Sequence, residues 1–234
     1  MQTKERILLI VLACVNFTHI VDFMILMPLG PQLMEIFSIS PKQFGYVVSA
    51  YGLSAAVSGF ALSFFADKFD RKKLLLGAYI GFVGGTLACA LAPTYEILFI
   101  ARLIAGLFGG MIGSQVLSII ADTFGYERRA SAMGVIMTAF SLASVVGVPG
   151  GLYLANLFGW HAPFFTVAAL GVVVSLFIYR FVPAVNAHLS TSVKGGNPFA
   201  VLISIAKTPN QLRALALTTV IMLGHFSIIP YISP

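Results

Sequence analysis

Long apolar runs alternate with short polar breaks along this chain. Six runs reach the length that crosses a bilayer core, which takes about 20 helical residues. They span about 7–29, 44–66, 74–92, 96–120, 130–157 and 162–182, and a seventh begins near Leu212 and continues to Pro234. None alternates with the period of two that a barrel strand needs, so the runs predict helices. Pro28, Pro31, Pro41, Pro93 and Pro163 stand at or beside the expected ends, where a missing N–H is tolerated.

The polar breaks organise the chain into three parts. A six-helix transmembrane bundle is expected over 1–182, an inter-bundle linker over 183–211, and helix seven, opening a second bundle, over 212–234. The linker holds the longest polar stretch, "STSVKGGNP", and its segment "PFAVLISIAK" is amphipathic enough to lie on a membrane surface as a short helix. The closing "SIIPYISP" sits inside or barely past an apolar run, so either helix seven just reaches the outer surface or, the favoured expectation, the chain is a fragment of a longer protein.

Composition agrees: 59% of residues are hydrophobic and 9% charged, against about 25% charged in soluble domains. This excludes a soluble globular protein and implies an integral, multi-pass membrane protein within the lipid bilayer. The net charge of +6 does not point to nucleic acid, because the basic residues fall in the breaks between spans. Lys4, Arg6, Lys68, Arg71, Lys72, Lys73, Arg128, Arg129, Arg180, Lys194, Lys207 and Arg213 would share one side, with Lys42 on the other and Arg102 inside a span. The positive-inside rule then puts the N-terminus in the cytoplasm. The first run is too long for a signal-peptide core and no small-residue cleavage pattern follows it. Cys14 and Cys89 lie within spans and read as packing residues rather than a disulfide.

Two ionisable groups stand where lipid would be, each costing on the order of 2.5–3.5 kcal/mol at mid-membrane. Asp22 precedes the outer end of helix one, and Arg102 follows the outer start of the antiparallel helix four. Both should lie roughly 10 Å below the same surface at 1.5 Å rise per residue, facing each other or a shared water-filled cavity. Asn16, His19 and Asp22 share one face of helix one. A stripe with an acid, a histidine and an amide suits a proton or substrate pathway; a structural ion pair pinning two helices is the plainer alternative. No second His or Cys stands at metal-ligand spacing in that helix, and neither a metal nor another cofactor is expected. Ser114 and His225 are the only residues that suggest hydrolytic chemistry and lack the flanking pattern, so the chain is not expected to be an enzyme.

Small residues mark other faces. Ala139, Ala143, Gly147 and Gly151 recur along helix five, and Gly106 with Gly110, beside Gly109 and Gly113, along helix four. Such ridges let helix backbones approach closely. Pro149 should bend helix five.

The densest charge lies in "ADKFDRKK", where Asp67, Lys68, Asp70, Arg71, Lys72 and Lys73 follow one another closely. With Ala66, the order of Asp67, Lys68, Arg71 and Lys72 resembles the signature between helices two and three of the major facilitator superfamily. Ser63 and Asp70 stand where that family usually has glycine. "RLIAGLFGG" is similar to its helix-four motif through Arg102 and Gly106, "ASVVGVPGG" to the antiporter motif, and "VDFMILMPLGP" to the helix-one motif through Asp22 and Pro28. The chain thus resembles the N-terminal half of a twelve-helix drug/proton antiporter plus the start of helix seven.

That resemblance implies an all-α fold, a six-helix bundle of two three-helix repeats. It also implies a secondary active transporter, with proton-coupled efflux of a small molecule or drug by alternating access, in the bacterial inner membrane. Alternatives are a sugar or metabolite efflux permease, and a non-transporting truncated half. Asp22 would bind a proton or cation and Arg102 would modulate it, with His19 and Asn16 beside them. Asp67, Lys68, Arg71, Lys72, Asp122 and Arg128 would form a cytoplasmic latch, in which Asp122 pairs with Arg71 or Lys72 and Arg128 reaches Asp67. The implied partners are a small-molecule substrate, protons, and a missing C-terminal bundle or a second copy.

Overall fold

Each of the six apolar runs forms a helix. The computed structural model describes residues 3–62, 64, 66–184, 204 and 207–232. The elements are α1 (Thr3–Ile25), α2 (Gly30–Ile36), α3 (Pro41–Leu62), a 3₁₀ turn (Ala66–Lys68), α4 (Arg71–Ala90), α5 (Tyr95–Thr123), α6 (Tyr126–Leu142), a π-helical turn (Ala143–Gly147), α7 (Val148–Phe158), α8 (His161–Phe181) and α9 (Pro209–Ile232). Among the described residues, six helices are long and apolar enough to cross a membrane, with α6, the π turn and α7 acting as one 33-residue helix.

The chain divides into two compact units, Met1–Ser190 and Thr191–Pro234. In the first, α3 and α4 pack on α5, α4 also on α8, and α1 on α6 and α8. Two large apolar clusters fill it, with a smaller one around Ile20, Val21, Ala143 and Val167. One large cluster joins Leu12, Tyr79, Phe82, Val116 and Ile178; the other gathers Leu29, Leu33, Trp160 and Phe164 at the opposite end, under α2. The described part of the second unit includes the 24-residue α9. The expected surface helix in "PFAVLISIAK" lies largely outside the described residues.

Several boundaries differ from those expected. The first helix begins at Thr3 and stops at Ile25 rather than covering 7–29, and a separate short helix, α2, follows with Pro31 in its first turn. Charged residues at a helix end can extend past the lipid into water, so polarity did not mark the true start. At the other end Pro28 offers no N–H to continue α1. The third span starts at Arg71, not near residue 74, because Asp70 caps it: its carboxylate accepts from the Lys73 N–H at 3.0 Å. The fifth starts at Tyr126, which places Arg128 and Arg129 in the helix rather than in a loop. Arg129 then satisfies the preceding helix end, donating to the carbonyls of Ala121 at 2.6 Å and Phe124 at 2.9 Å.

Pro149, expected to bend this helix, stands in the first turn of α7 just after the π turn. Proline leaves the carbonyl four residues back without its helical donor. The helix meets this with the five-residue π turn immediately before α7, a local widening that inserts an extra residue into the ladder.

Candidate functional site

Four helices converge on one ion pair. Arg102 Nη1 of α5 donates to Asp22 Oδ2 of α1 at 2.8 Å and to the Asp22 carbonyl at 3.2 Å. The two side chains are 1% and 0% exposed. From α4, Thr86 donates to Asp22 Oδ1 at 3.0 Å. From α3, the Tyr51 ring lies under the guanidinium, 4.3 Å from its carbon, a cation–π contact worth about 2 kcal/mol when desolvated. Both carboxylate oxygens are thereby occupied and the charges balance inside an apolar bundle. The antiparallel run of α1 and α5 put both groups at one depth, and the tertiary packing turned them to face each other.

The remaining polar stripe divides. Asn16 donates to the Ile136 carbonyl of α6 at 3.3 Å and so ties α1 to α6. His19 lies between the rings of Tyr51 and Phe82, at centroid distances of 6.1 and 5.8 Å. Among the described residues, neither ring nitrogen has a hydrogen-bond partner, nor have the Tyr51 hydroxyl, Arg102 Nε and the Gln115 amide, all buried. Tyr51, Thr86 and Gln115 escaped the sequence reading. A search for any polar side chain within a span finds Thr86 and Gln115, whereas Tyr51 looks like ordinary span residue until its ring meets Arg102.

At the end of the bundle that carries the basic loop, Arg71 Nε donates to Asp122 Oδ2 at 3.1 Å, linking the start of α4 to the end of α5. The Arg71 side chain is 7% exposed and that of Asp122 27%, so this pair is screened far less than a surface one. Lys72 lies over the Tyr179 ring of α8, 5.6 Å from its centroid. Lys68 is exposed. Arg128 makes a two-pronged contact with Glu5 of α1, at 3.1 and 2.9 Å. The Asp67 side chain lies outside the described residues.

Most of the small residues named on these helices form close contacts between helices, Gly113 being an exception among the described residues. A methyl group at Gly110 would overlap the Ala55 carbonyl, and one at Gly106 the Tyr51 carbonyl and the Ser54 hydroxyl. Gly147 and Gly151 likewise receive Val21 and Ile25 of α1, and Ala143 is fully buried. Between α1 and α6 opens a recess of about 620 Å³, lined by Cys14, Phe17, Thr138, Ser141, Leu142 and Val145 among others.

A family model described as Major Facilitator Superfamily matches residues 12–234. The chain belongs to the Major Facilitator Superfamily. Within it, the chain is 28% identical over 205 residues to YceJ, an uncharacterized MFS-type transporter of Bacillus subtilis (strain 168), covering 88% of this chain and 50% of that protein. It is 26% identical over 227 residues to a chloramphenicol resistance protein of Streptomyces lividans, covering 97% of this chain and 57% of that one. Its fold matches a bacterial homolog of the human lysosomal transporter Spinster, in an inward-facing and unoccupied conformation. That match has a TM-score of 0.69 and 19% identity, over 79% of this chain and 44% of the other. The peptide transporter POT in complex with alafosfalin matches with a TM-score of 0.69 at 14% identity, over 98% of this chain and 50% of that one. The chain spans about half the length of the curated relatives it matches. Its fold is the all-α, major-facilitator-type membrane bundle, and the protein is a multi-pass integral membrane protein.

Proposed function

We propose that this superfamily member works in secondary active transport, exporting a small uncharged molecule in exchange for protons by alternating access. The observation that carries this is the Asp22–Arg102 pair, a charge-balanced contact buried among four helices. Protonating Asp22 would neutralise one partner and leave Arg102 uncompensated, which favours rearrangement of the helices around them. The similarity to a chloramphenicol resistance protein supports efflux of a drug-like cargo. The apolar lining of the α1–α6 recess favours a lipophilic cargo over a sugar.

In this proposal the N-terminus faces the cytoplasm of a bacterial inner membrane. Residues 1–182 are the N-terminal bundle, 183–211 the linker and 212–234 helix seven, whose described part belongs to α9. The Arg71–Asp122 pair, with Asp67, Lys68, Lys72 and Arg128, acts as a cytoplasmic latch in one access state. A second bundle, or a second copy of this chain, completes the pathway, with substrate held near the midplane.

The test is chloramphenicol flux in sealed vesicles containing the protein at its natural length, with an imposed proton gradient. Gradient-driven flux by the wild type and its loss in Asp22→Asn, at equal membrane insertion, is the expected result. Full gradient-driven flux in that variant would overturn the assignment of Asp22.

A further inference from the structure

Among the described residues, His19, Tyr51, Arg102 and Gln115 carry buried side-chain polar atoms with no protein partner, and two of the four meet at one glycine. The Tyr51 hydroxyl from α3 and His19 Nε2 from α1 both face Gly109 of α5. A methyl group built there would stand 2.5 Å from the hydroxyl and 3.0 Å from the nitrogen. The hydroxyl, both His19 nitrogens and Arg102 Nε are buried and make no hydrogen bond among the described residues. Leaving such a group unsatisfied costs roughly 1–3 kcal/mol, and natural interiors rarely tolerate several together. Gly109 has no side chain, which lets both atoms approach the same stretch of α5.

We propose that His19, Tyr51 and the Gly109 notch form a binding site for one uncharged hydrogen-bonding oxygen. The chemistry follows from the neighbours. Asp22 already balances Arg102 at 2.8 Å, so the pair offers no net charge to hold an anion or a cation. The groups that are available, an imidazole nitrogen and a phenol, can each donate or accept. Such a pair suits a water molecule, or the hydroxyl or carbonyl oxygen of an uncharged cargo. The Tyr51 ring carries the Arg102 guanidinium on its face, so a ligand on the hydroxyl touches the same side chain that steadies the ion pair. The site is about one helical turn from Asp22 along α1. It stands whether or not the chain transports; only the cargo source rests on the transport reading.

The experiment is magic-angle-spinning NMR on the full-length protein, labelled with ¹⁵N-histidine, in lipid bilayers. His19→Gln identifies the His19 signals by their loss. Without cargo, a cross-peak between the His19 ring and water protons is expected, with loss of that cross-peak in Gly109→Ala and weakening in Tyr51→Phe. Added chloramphenicol separates the sources: a persisting water contact assigns the oxygen to water, and its replacement by a contact to chloramphenicol assigns it to cargo. His19 in contact with neither would overturn the site. A water contact unchanged in Tyr51→Phe would overturn the shared role of Tyr51, even where Gly109→Ala fails to fold.

Discussion

Asp22 and Arg102 are joined at 2.8 Å with side chains no more than 1% exposed, though 80 residues of chain separate them. Removing one member of such a pair leaves a buried charge and costs about 3–5 kcal/mol. Arg102→Ala should therefore lower thermal stability in detergent markedly. In an Asp22→Asn background the same change should cost far less, because the charge it would strand is already gone. Equal losses in both backgrounds would show that the two side chains are not energetically coupled.

The Arg71–Asp122 contact links α4 to α5 at the basic end of the bundle. Single alanine variants at either position should slow transport alike, and the double variant should be little worse than either. A coupling of about 0.5–3 kcal/mol is expected for residues in contact. Additive effects in the transport assay would remove the pair from the proposed latch.

Asp70 accepts the Lys73 N–H at 3.0 Å and opens a helix whose first turn holds Arg71, Lys72 and Lys73. Bases there oppose the helix dipole, so the cap matters more than usual. Asp70→Ala should cost about 0.5–2 kcal/mol, and Asp70→Asn much less. Thermal unfolding of the three proteins side by side checks the order.

Glycines on α5 should differ sharply by position. Gly106→Ala and Gly110→Ala force a methyl against the backbone carbonyls of Tyr51 and Ala55, whereas at Gly113 none of the described residues lies within 4 Å. The first two should lose about 1–3 kcal/mol or fail to assemble. Gly113→Ala should be neutral or slightly stabilising, since alanine is the better helix former. Folded yield by size-exclusion chromatography distinguishes them.

The exposed Arg128–Glu5 pair makes a contrast, since the arginine is 54% exposed. Glu5→Ala should cost at most about 1 kcal/mol, and the cost should shrink in high salt. A large, salt-insensitive loss would mean that Arg128 serves more than a surface contact.

Most of the helical architecture was legible in the chain itself. Membrane spans are written in continuous apolarity, because an unpaired backbone group in lipid is too costly for anything but a helix or a closed barrel. Asp22 and Arg102 were visible for the same reason, as charges well inside runs that carry charge, if at all, only at an end. Asp70 looked misplaced beside a glycine-based turn and proved to be a helix cap, a role that depends on where α4 begins. Helix ends were the least legible feature, since residues such as Lys4 and Arg128 can extend a helix beyond the lipid without any change of pattern.

Sequence alone thus determined which segments are helices, which faces are small and which few polar groups had to be explained. Tertiary structure alone decided their partners. The reach of Arg102 to Asp22, the stacking of Tyr51 beneath it and the meeting of His19 with Gly109 depend on rotations about helix axes. Those rotations are set by packing across α1, α3, α4 and α5 together, and no single helix carries that information.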